Sequence, residues 1–226
     1  IGNGGRYVHQ TRASHAGSIS QILSRAPGTE TGILEFDVPG TTGYTISVSG
    51  RVYGSLVLSA TAAGGTRTYA SSGSSVFRVR GDFRMNNGVR YNLNLDAGMV
   101  IERNLQVDSA AFNISSGGDN TVVQIHKDVC VSGTITESSD GLPVIEWCGN
   151  EMQAIAIPGS IQNSITVRMN NPQGAVLLAP LQLPFQLELL QGKIITTDST
   201  LLTLLPDCVV QADSLSHSSF VDGPLR

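Results

Sequence analysis

The sequence predicts an all-β chain that folds as a parallel β-solenoid over most of its length, preceded by a small β-rich N-terminal segment or cap. Three observations predict this fold: short runs of alternating apolar and polar residues, frequent Gly, Asn and Asp between the runs, and a weak repeat of 22 to 24 residues. Only 14% of the 226 residues are charged, and 25 are Gly. This composition suits strands and turns better than exposed helices.

Residues 1–75 are predicted to form the N-terminal β-rich segment or cap. The first 30 or so residues are polar and mixed in period, and the apolar group at 19–23 permits one helical turn or a strand. Alternation then gives three short runs, at 33–38, 44–49 and 52–58. These runs predict strands separated by tight turns.

Residues 76–226 are predicted to form the solenoid. Three blocks, beginning at residues 77, 100 and 125, can be superimposed with Phe83, Leu105 and Val129 as equivalent positions. The steps between these positions are 22 and 24 residues, a length that suits one coil of three short strands and their corners. The Asn, Asp and Gly residues between the strands tolerate the left-handed backbone that corners require.

The repeat also predicts a polar ladder. Asp82, Asn104 and Asp128 each precede an equivalent position, so they are expected to stack on adjacent coils. The favoured interpretation is that they cap backbone donors in turns. The alternative is a sugar-binding groove of a polysaccharide lyase or hydrolase, which needs two carboxylates about 5 to 10 Å apart. The groove residues available are Asp82, Asp96, Glu102, Asp108, Asp128 and Glu137, with Arg80, Arg84, Arg90 and Arg103 nearby.

Three arginines, Arg78, Arg80 and Arg84, are interleaved with apolar residues such as Phe77 and Phe83. This alternation is typical of a half-exposed strand, which is the favoured interpretation. The other interpretation is that the three guanidinium groups face and bind an acidic glycan. Both interpretations remain open at the level of sequence.

The three cysteines, Cys130, Cys148 and Cys208, allow at most one disulfide within the chain. Their spacing matches no common zinc pattern. We favour their burial as small hydrophobic residues, with a Cys130–Cys148 disulfide as the main alternative.

The four histidines, His9, His15, His126 and His217, show no metal-binding spacing, which favours solvated or hydrogen-bonded surface roles. The sequence contains no Gly-x-Ser-x-Gly nucleophile motif, and its Gly-rich stretches do not precede helices as a phosphate-binding loop would. We therefore predict no catalytic residue, no metal and no cofactor.

Charge and hydropathy argue against two classes of partner. The net charge of −4 and a pI of about 5.5 provide no basic field for nucleic acid. The apolar runs are far shorter than the roughly 18 residues that span a bilayer.

The chain begins without Met or a signal peptide and stops abruptly at Arg226, which leads us to expect a processed product or an excerpt of a longer protein.

Residues 76–226 resemble the β-solenoid repeat regions of large secreted surface proteins of Bacteroidota. The motifs that carry the resemblance are structural, and they lie at 133–138, 143–147, 153–161, 165–171, 178–185, 192–197 and 219–225. The resemblance implies a multidomain exported protein, often carried by type IX secretion, with roles in adhesion, gliding or the cell-surface layer. It implies an extracellular or cell-surface location and brings no catalytic residues.

We therefore expect a noncatalytic structural or adhesive module of a larger extracellular surface protein. Its expected partners are neighbouring domains or copies of the same protein, together with surface glycans as a further option. Two alternatives stay open: a carbohydrate-binding or carbohydrate-cleaving β-helix, and a self-assembling subunit of an extracellular filament.

Overall fold

The computed structural model describes residues 1–212 and 219–226, and these residues wind into a parallel β-solenoid. Each regular coil passes in turn through a ten-stranded, a six-stranded and an eight-stranded sheet, and a further two-stranded sheet follows near the C-terminal end. The strands of neighbouring coils pair in parallel. The prediction of an all-β, parallel β-solenoid is therefore confirmed.

The strands, numbered in chain order, are distributed over these four sheets. The ten-stranded sheet contains β1 (Arg6–His9), β2 (Ile33–Phe36), β5 (Ser55–Leu58), β8 (Phe83–Met85), β11 (Leu105–Val107), β14 (Val129–Val131), β17 (Gln153–Ala156), β20 (Ala175–Leu177), β23 (Lys193–Ile195) and β26 (Phe220–Asp222). The six-stranded sheet contains β3 (Tyr44–Thr45), β6 (Arg67–Gly73), β9 (Val89–Leu95), β12 (Ala111–Asn113), β15 (Thr134–Thr136) and β18 (Ser160–Ile161). The eight-stranded sheet contains β4 (Val52–Tyr53), β7 (Phe77–Val79), β10 (Met99–Ile101), β13 (Val122–Ile125), β16 (Val144–Trp147), β19 (Thr166–Asn170), β22 (Gln186–Gln191) and β25 (Val209–Ala212). The two-stranded sheet pairs β21 (Leu181–Leu183) with β24 (Leu202–Leu204).

The register of the central coils agrees with the repeat in the sequence. Leu105 pairs with Phe83 on one side and with Val129 on the other, as the 22- and 24-residue steps predict. The polar ladder is present as well: the Asn104 side chain donates to Asp82 Oδ1 at 2.9 Å, and the Asp128 backbone N–H donates to Asn104 Oδ1 at 3.1 Å. Asp128 Oδ1 in turn accepts from the backbone N–H of Ala154 at 2.8 Å. These side chains cap backbone donors of the next coil, which is the interpretation favoured from sequence.

Alternation along each strand sends every second side chain into the solenoid interior. One interior column on the ten-stranded sheet is formed by Leu34, Leu56, Phe83, Leu105, Val129, Ile155 and Leu177, all buried. Because each coil can cover its apolar side chains only by stacking on its neighbours, these columns hold the coils together.

The solenoid does not begin at residue 76. Strands β1 to β6 lie within residues 1–75 and belong to the same three sheets as the later strands. For example, Tyr53 of β4 pairs with Val79 of β7. The coils therefore run across the boundary expected between residues 75 and 76.

A short helix, α1 (Ala16–Ile22), lies in the first coil between β1 and β2. Its Ile19 and Ile22 side chains are buried in the core, whereas Ser20 and Gln21 are exposed. Among the residues that the structure describes, no helix is long and apolar enough to cross a membrane.

Candidate functional site

The outer face of the eight-stranded sheet carries the most developed set of polar side chains. Ile145 and Trp147 point into the core, so Glu146 between them points outward. The parallel register then stacks Gln124, Glu146, Arg168 and Glu188 on four successive coils. We call these four residues the Glu146 ladder.

The Glu146 ladder is held by hydrogen bonds between coils. Arg168 lies between two carboxylates: its Nε donates to Glu188 Oε2 at 2.6 Å, and its Nη1 is 3.6 Å from Glu146 Oε2. Glu146 also accepts from Asn170 Nδ2 at 2.6 Å and from Gln124 Nε2 at 3.3 Å. Although it faces outward, the Glu146 side chain is only 6% exposed.

A groove of about 390 Å³ lies at one end of this ladder. Its polar lining comes from Arg78, Gln124, Glu146 and Arg168, and its apolar lining comes from Val76, Ala97, Met99, Val100 and Val122. The guanidinium and amide groups of the groove can donate hydrogen bonds, and its other lining residues are apolar. This combination suits a polar, extended ligand.

The ladder offers little for acid–base chemistry. Glu146 and Glu188 are separated by one coil, and the Arg168 guanidinium between them contacts both carboxylates. Glycoside hydrolysis needs two carboxyl groups that face each other across a bound sugar, whereas here the guanidinium group lies between the two carboxylates. The arrangement ties the coils together and fits a binding or structural role.

The three arginines proposed to face a glycan are all engaged in ion pairs with carboxylates. Arg78 pairs with Glu102 at 2.7 Å, Arg80 with Glu30 at 3.0 Å, and Arg84 with Asp108 at 2.8 Å. Arg78 lies on β7 of the eight-stranded sheet, Arg84 lies on β8 of the ten-stranded sheet, and Arg80 lies in the corner between them. The three guanidinium groups therefore do not share one face.

Among the other carboxylates considered from sequence, Glu137 accepts the backbone N–H of Ser139 at 2.8 Å and of Ser164 at 3.2 Å. Asp96 instead shares a hydrogen bond with Asp119, and this contact raises the pKa of Asp119 above its usual value. In the described part of the chain, no three His, Cys, Asp or Glu side chains are arranged to hold a metal ion.

The three cysteines are free thiols in the structure. Cys130 on β14 is exposed, contrary to the expected burial, because its neighbours Val129 and Val131 occupy the inward positions. Cys148 follows β16 on another sheet and is half-buried, so the alternative Cys130–Cys148 bridge is not formed. Burial, followed by the effect of Glu146, raises the pKa of the Cys148 thiol to about 12, which makes it a poor nucleophile at neutral pH.

Two histidines expected at the surface lie in the core. His9 is 3% exposed and His15 is 8% exposed, and their ring centroids are 5.7 Å apart. His126 is half-buried on a later coil, and His217 lies outside the described residues.

Comparison of the chain with known protein families, with curated proteins and with solved structures found no match.

The repeat predicted the polar ladder of Asp82, Asn104 and Asp128, but the Glu146 ladder was not predicted. The signal was present, because Gln124, Glu146 and Arg168 follow one another at steps of 22 residues, the same as the first step of the repeat. Glu188 follows after 20 residues, a shorter coil that the repeat did not anticipate.

Proposed function

We propose that the chain is a noncatalytic structural module of an extracellular surface protein, and that its C-terminal end stacks on a second copy. The observation that carries this proposal is the contrast between the two ends of the solenoid. The extracellular setting is supported by the resemblance of residues 76–226 to secreted solenoid repeats.

Within residues 1–212 and 219–226, the C-terminal end presents apolar side chains on strand edges that pair with no further strand. Strands β25 and β26 are the last strands of their sheets. Val209 on β25 is 53% exposed and Phe220 on β26 is 44% exposed. Leu205, Val210 and Leu225 are also exposed in this region. An open edge with apolar side chains is a surface on which further strands add.

The N-terminal end differs, because α1 covers part of it with its polar face outward. A head-to-tail contact would set this polar face against apolar side chains. Contact between two C-terminal ends matches apolar surface with apolar surface, and the Lys193–Asp222 ion pair at 2.7 Å neutralises two of the charges at this end. An isologous dimer of this kind closes on itself.

We expect the purified chain to form dimers at micromolar concentration and the Val209→Lys/Phe220→Asp variant to be monomeric, as measured by light scattering after size exclusion. Both positions are exposed, so the urea midpoint of the variant should stay close to that of the parent. Leu178→Lys is the matched control, because Leu178 is 58% exposed but lies before β21, away from the end. A monomeric parent chain, or polymers of unlimited length, would refute the end-to-end dimer.

The groove beside the Glu146 ladder favours a second candidate function, the binding of a glycan. In this case we expect binding of acidic or neutral oligosaccharides without cleavage, weakened at least tenfold by Arg168→Gln, as measured by calorimetry. The same glycans are assayed for depolymerisation with and without calcium. Turnover that Glu146→Gln abolishes would replace both proposals by a carbohydrate-cleaving enzyme.

A further inference from the structure

The first coil forms a cap at the N-terminal end of the solenoid. We use the name cap for residues 6–24, which comprise β1, the following loop and α1. The cap contacts the next coil on two sides. On one side, β1 pairs in parallel with β2 over four residues, and Arg6 forms an ion pair with Glu35. On the other side, hydrogen bonds join the loop and α1 to the segments around β3 and β4. Two of them are the hydrogen bond from Ser24 N–H to Val52 O at 2.8 Å and that from Ser47 N–H to His15 Nε2 at 3.1 Å.

The hydroxyl of Tyr44 joins the two buried histidines of the cap to the solenoid. The Tyr44 oxygen is 2.9 Å from His9 Nε2 and 2.8 Å from His15 Nδ1, and it donates to Ala13 O at 2.9 Å. Tyr44 belongs to β3 of the next coil, whereas both histidines belong to the cap. These bonds therefore cross the boundary between the cap and the rest of the protein.

The hydrogen bonds of Tyr44 and Ser47 determine which nitrogen of each imidazole ring, in His9 and His15, donates and which accepts. His15 Nε2 accepts from Ser47 N–H and so carries no proton, which places the ring proton on Nδ1, where it donates to Tyr44. Because the Tyr44 proton goes to Ala13 O, His9 Nε2 must donate to the Tyr44 oxygen. His9 Nδ1 is buried and has no hydrogen-bond partner among the described residues. His15 is neutral in this arrangement, because Nε2 accepts the Ser47 bond.

The charged groups around the cluster oppose a second proton on the His15 ring. Arg67 is fully buried, with its guanidinium carbon 5.7 Å from the Tyr44 ring centroid, and Arg12 and Arg51 add further positive charge. The nearby Asp37 carboxylate is occupied by Gln10, Thr61 and Ala62. The other charged or titratable groups on the packed elements are Arg6, which is paired with Glu35, and the hydroxyls of Tyr7 and Tyr69.

Protonation of His15 would break the closed arrangement, because Nε2 would become a donor that faces the Ser47 N–H donor. Burial, then the neighbouring His9, then Arg51 lower the pKa of His15 below its usual 6.5. The unfolded or opened cap binds the proton more readily than the closed cap does. The stabilising contribution of His15 is therefore complete above pH 6.5 and is lost as the pH falls from there through its lowered value.

We infer that His9, His15 and Tyr44 form a pH-sensitive latch, which holds the cap closed at neutral pH and releases it in mildly acidic medium. Release separates the loop and α1 from β3 and β4, while β1 stays paired with β2. It uncovers apolar side chains such as Phe36 and Ile46, which are buried in the closed form. The N-terminal end then presents an open apolar edge like that at the C-terminal end.

Hydrogen exchange followed by mass spectrometry tests the latch at pH 7 and pH 5. After correction for the intrinsic exchange rate, we expect exchange in residues 10–24 to increase about tenfold or more at pH 5, while β1, paired with β2, and β9 to β15 keep their protection. The His9→Gln/His15→Gln variant should lose this pH dependence, because neither position can then gain a charge. His126→Gln is the matched control, since this histidine lies outside the cap, and it should respond to pH as the parent does.

Equal exchange of the cap at the two pH values would refute the latch, as would a pH response that persists in the double variant. Loss of protection in the cap and the central coils together would indicate general acid unfolding and would refute it too. If the double variant does not fold, NMR titration of the parent chain decides: the latch requires His15 to carry its proton on Nδ1 and to titrate below pH 6.5.

Discussion

Replacing Gly159 by alanine is expected to destabilise the protein by about 3 kcal/mol or more, because the added methyl group meets the backbone of the coil below. A Cβ at residue 159 would lie only 1.9 Å from Gly133 O, and a Cβ at residue 133 would lie 2.1 Å from Ala110 O. At this corner, Gly159 N–H donates to Val131 O and Ser160 N–H donates to Gly133 O, each at 3.0 Å. The methyl group can therefore be accommodated only if the two coils separate and these bonds lengthen.

Urea denaturation followed by circular dichroism measures the effect of Gly159→Ala. Gly65→Ala is the matched control, because a Cβ there has no atom within 4 Å and the residue is not in the left-handed region. The control should change the free energy of unfolding by no more than about 0.5 kcal/mol. Similar unfolding midpoints for the two variants would contradict the close stacking of coils at this corner.

The alternation and the repeat predicted the central coils because each coil there uses nearly the same number of residues. Phe83, Leu105 and Val129 are separated by steps of 22 and 24 residues, and their pairing follows directly. The earlier coils contain the same step, since Leu34 pairs with Leu56, but the next step from Leu56 to Phe83 is 27 residues long. The longer coil interrupts the period of 22 to 24 residues. The repeat was therefore recognised only after residue 75, and the first 75 residues were predicted to be a separate segment.

Strand alternation also determines which side chains face outward, and it could have placed Cys130 correctly. The expectation of burial came from the average behaviour of cysteine, whereas Val129 and Val131 on either side occupy the interior. A local pattern of this kind outweighs the average preference of one residue type.

The cluster of His9, His15 and Tyr44 could not be predicted from spacing. The two histidines are brought together by an irregular loop, and Tyr44 joins them from the following coil, 35 residues after His9. Neither the two-residue alternation of strands nor the coil length of about 22 residues predicts the path of such a loop. The same holds for the groove, whose shape depends on how several coils are offset.

Replacing Phe112 by alanine is expected to cost about 3 to 5 kcal/mol, the usual cost of removing a large buried aromatic side chain. Phe112 is fully buried on β12 and lies directly over Tyr91 of β9, with the two rings stacked at a centroid distance of 5.6 Å. Phe83 contacts it edge to face at the same distance. Alanine would leave a cavity between two coils, whereas Phe112→Leu should recover most of the lost stability because it fills most of that space.

The strands in which Phe112→Ala increases hydrogen exchange show whether the coils of the solenoid unfold locally or together. Because each coil contacts mainly its neighbours, a cavity at Phe112 should increase hydrogen exchange most in β9, β12 and β15. Strands β20 and β22, on later coils, should change less. Tyr91→Phe keeps the ring and removes only the hydroxyl that donates to Ser71 at 2.9 Å, so we expect a smaller loss of about 1 kcal/mol from it. A uniform increase in exchange from β9 to β22 in Phe112→Ala would show instead that the coils unfold as one cooperative unit.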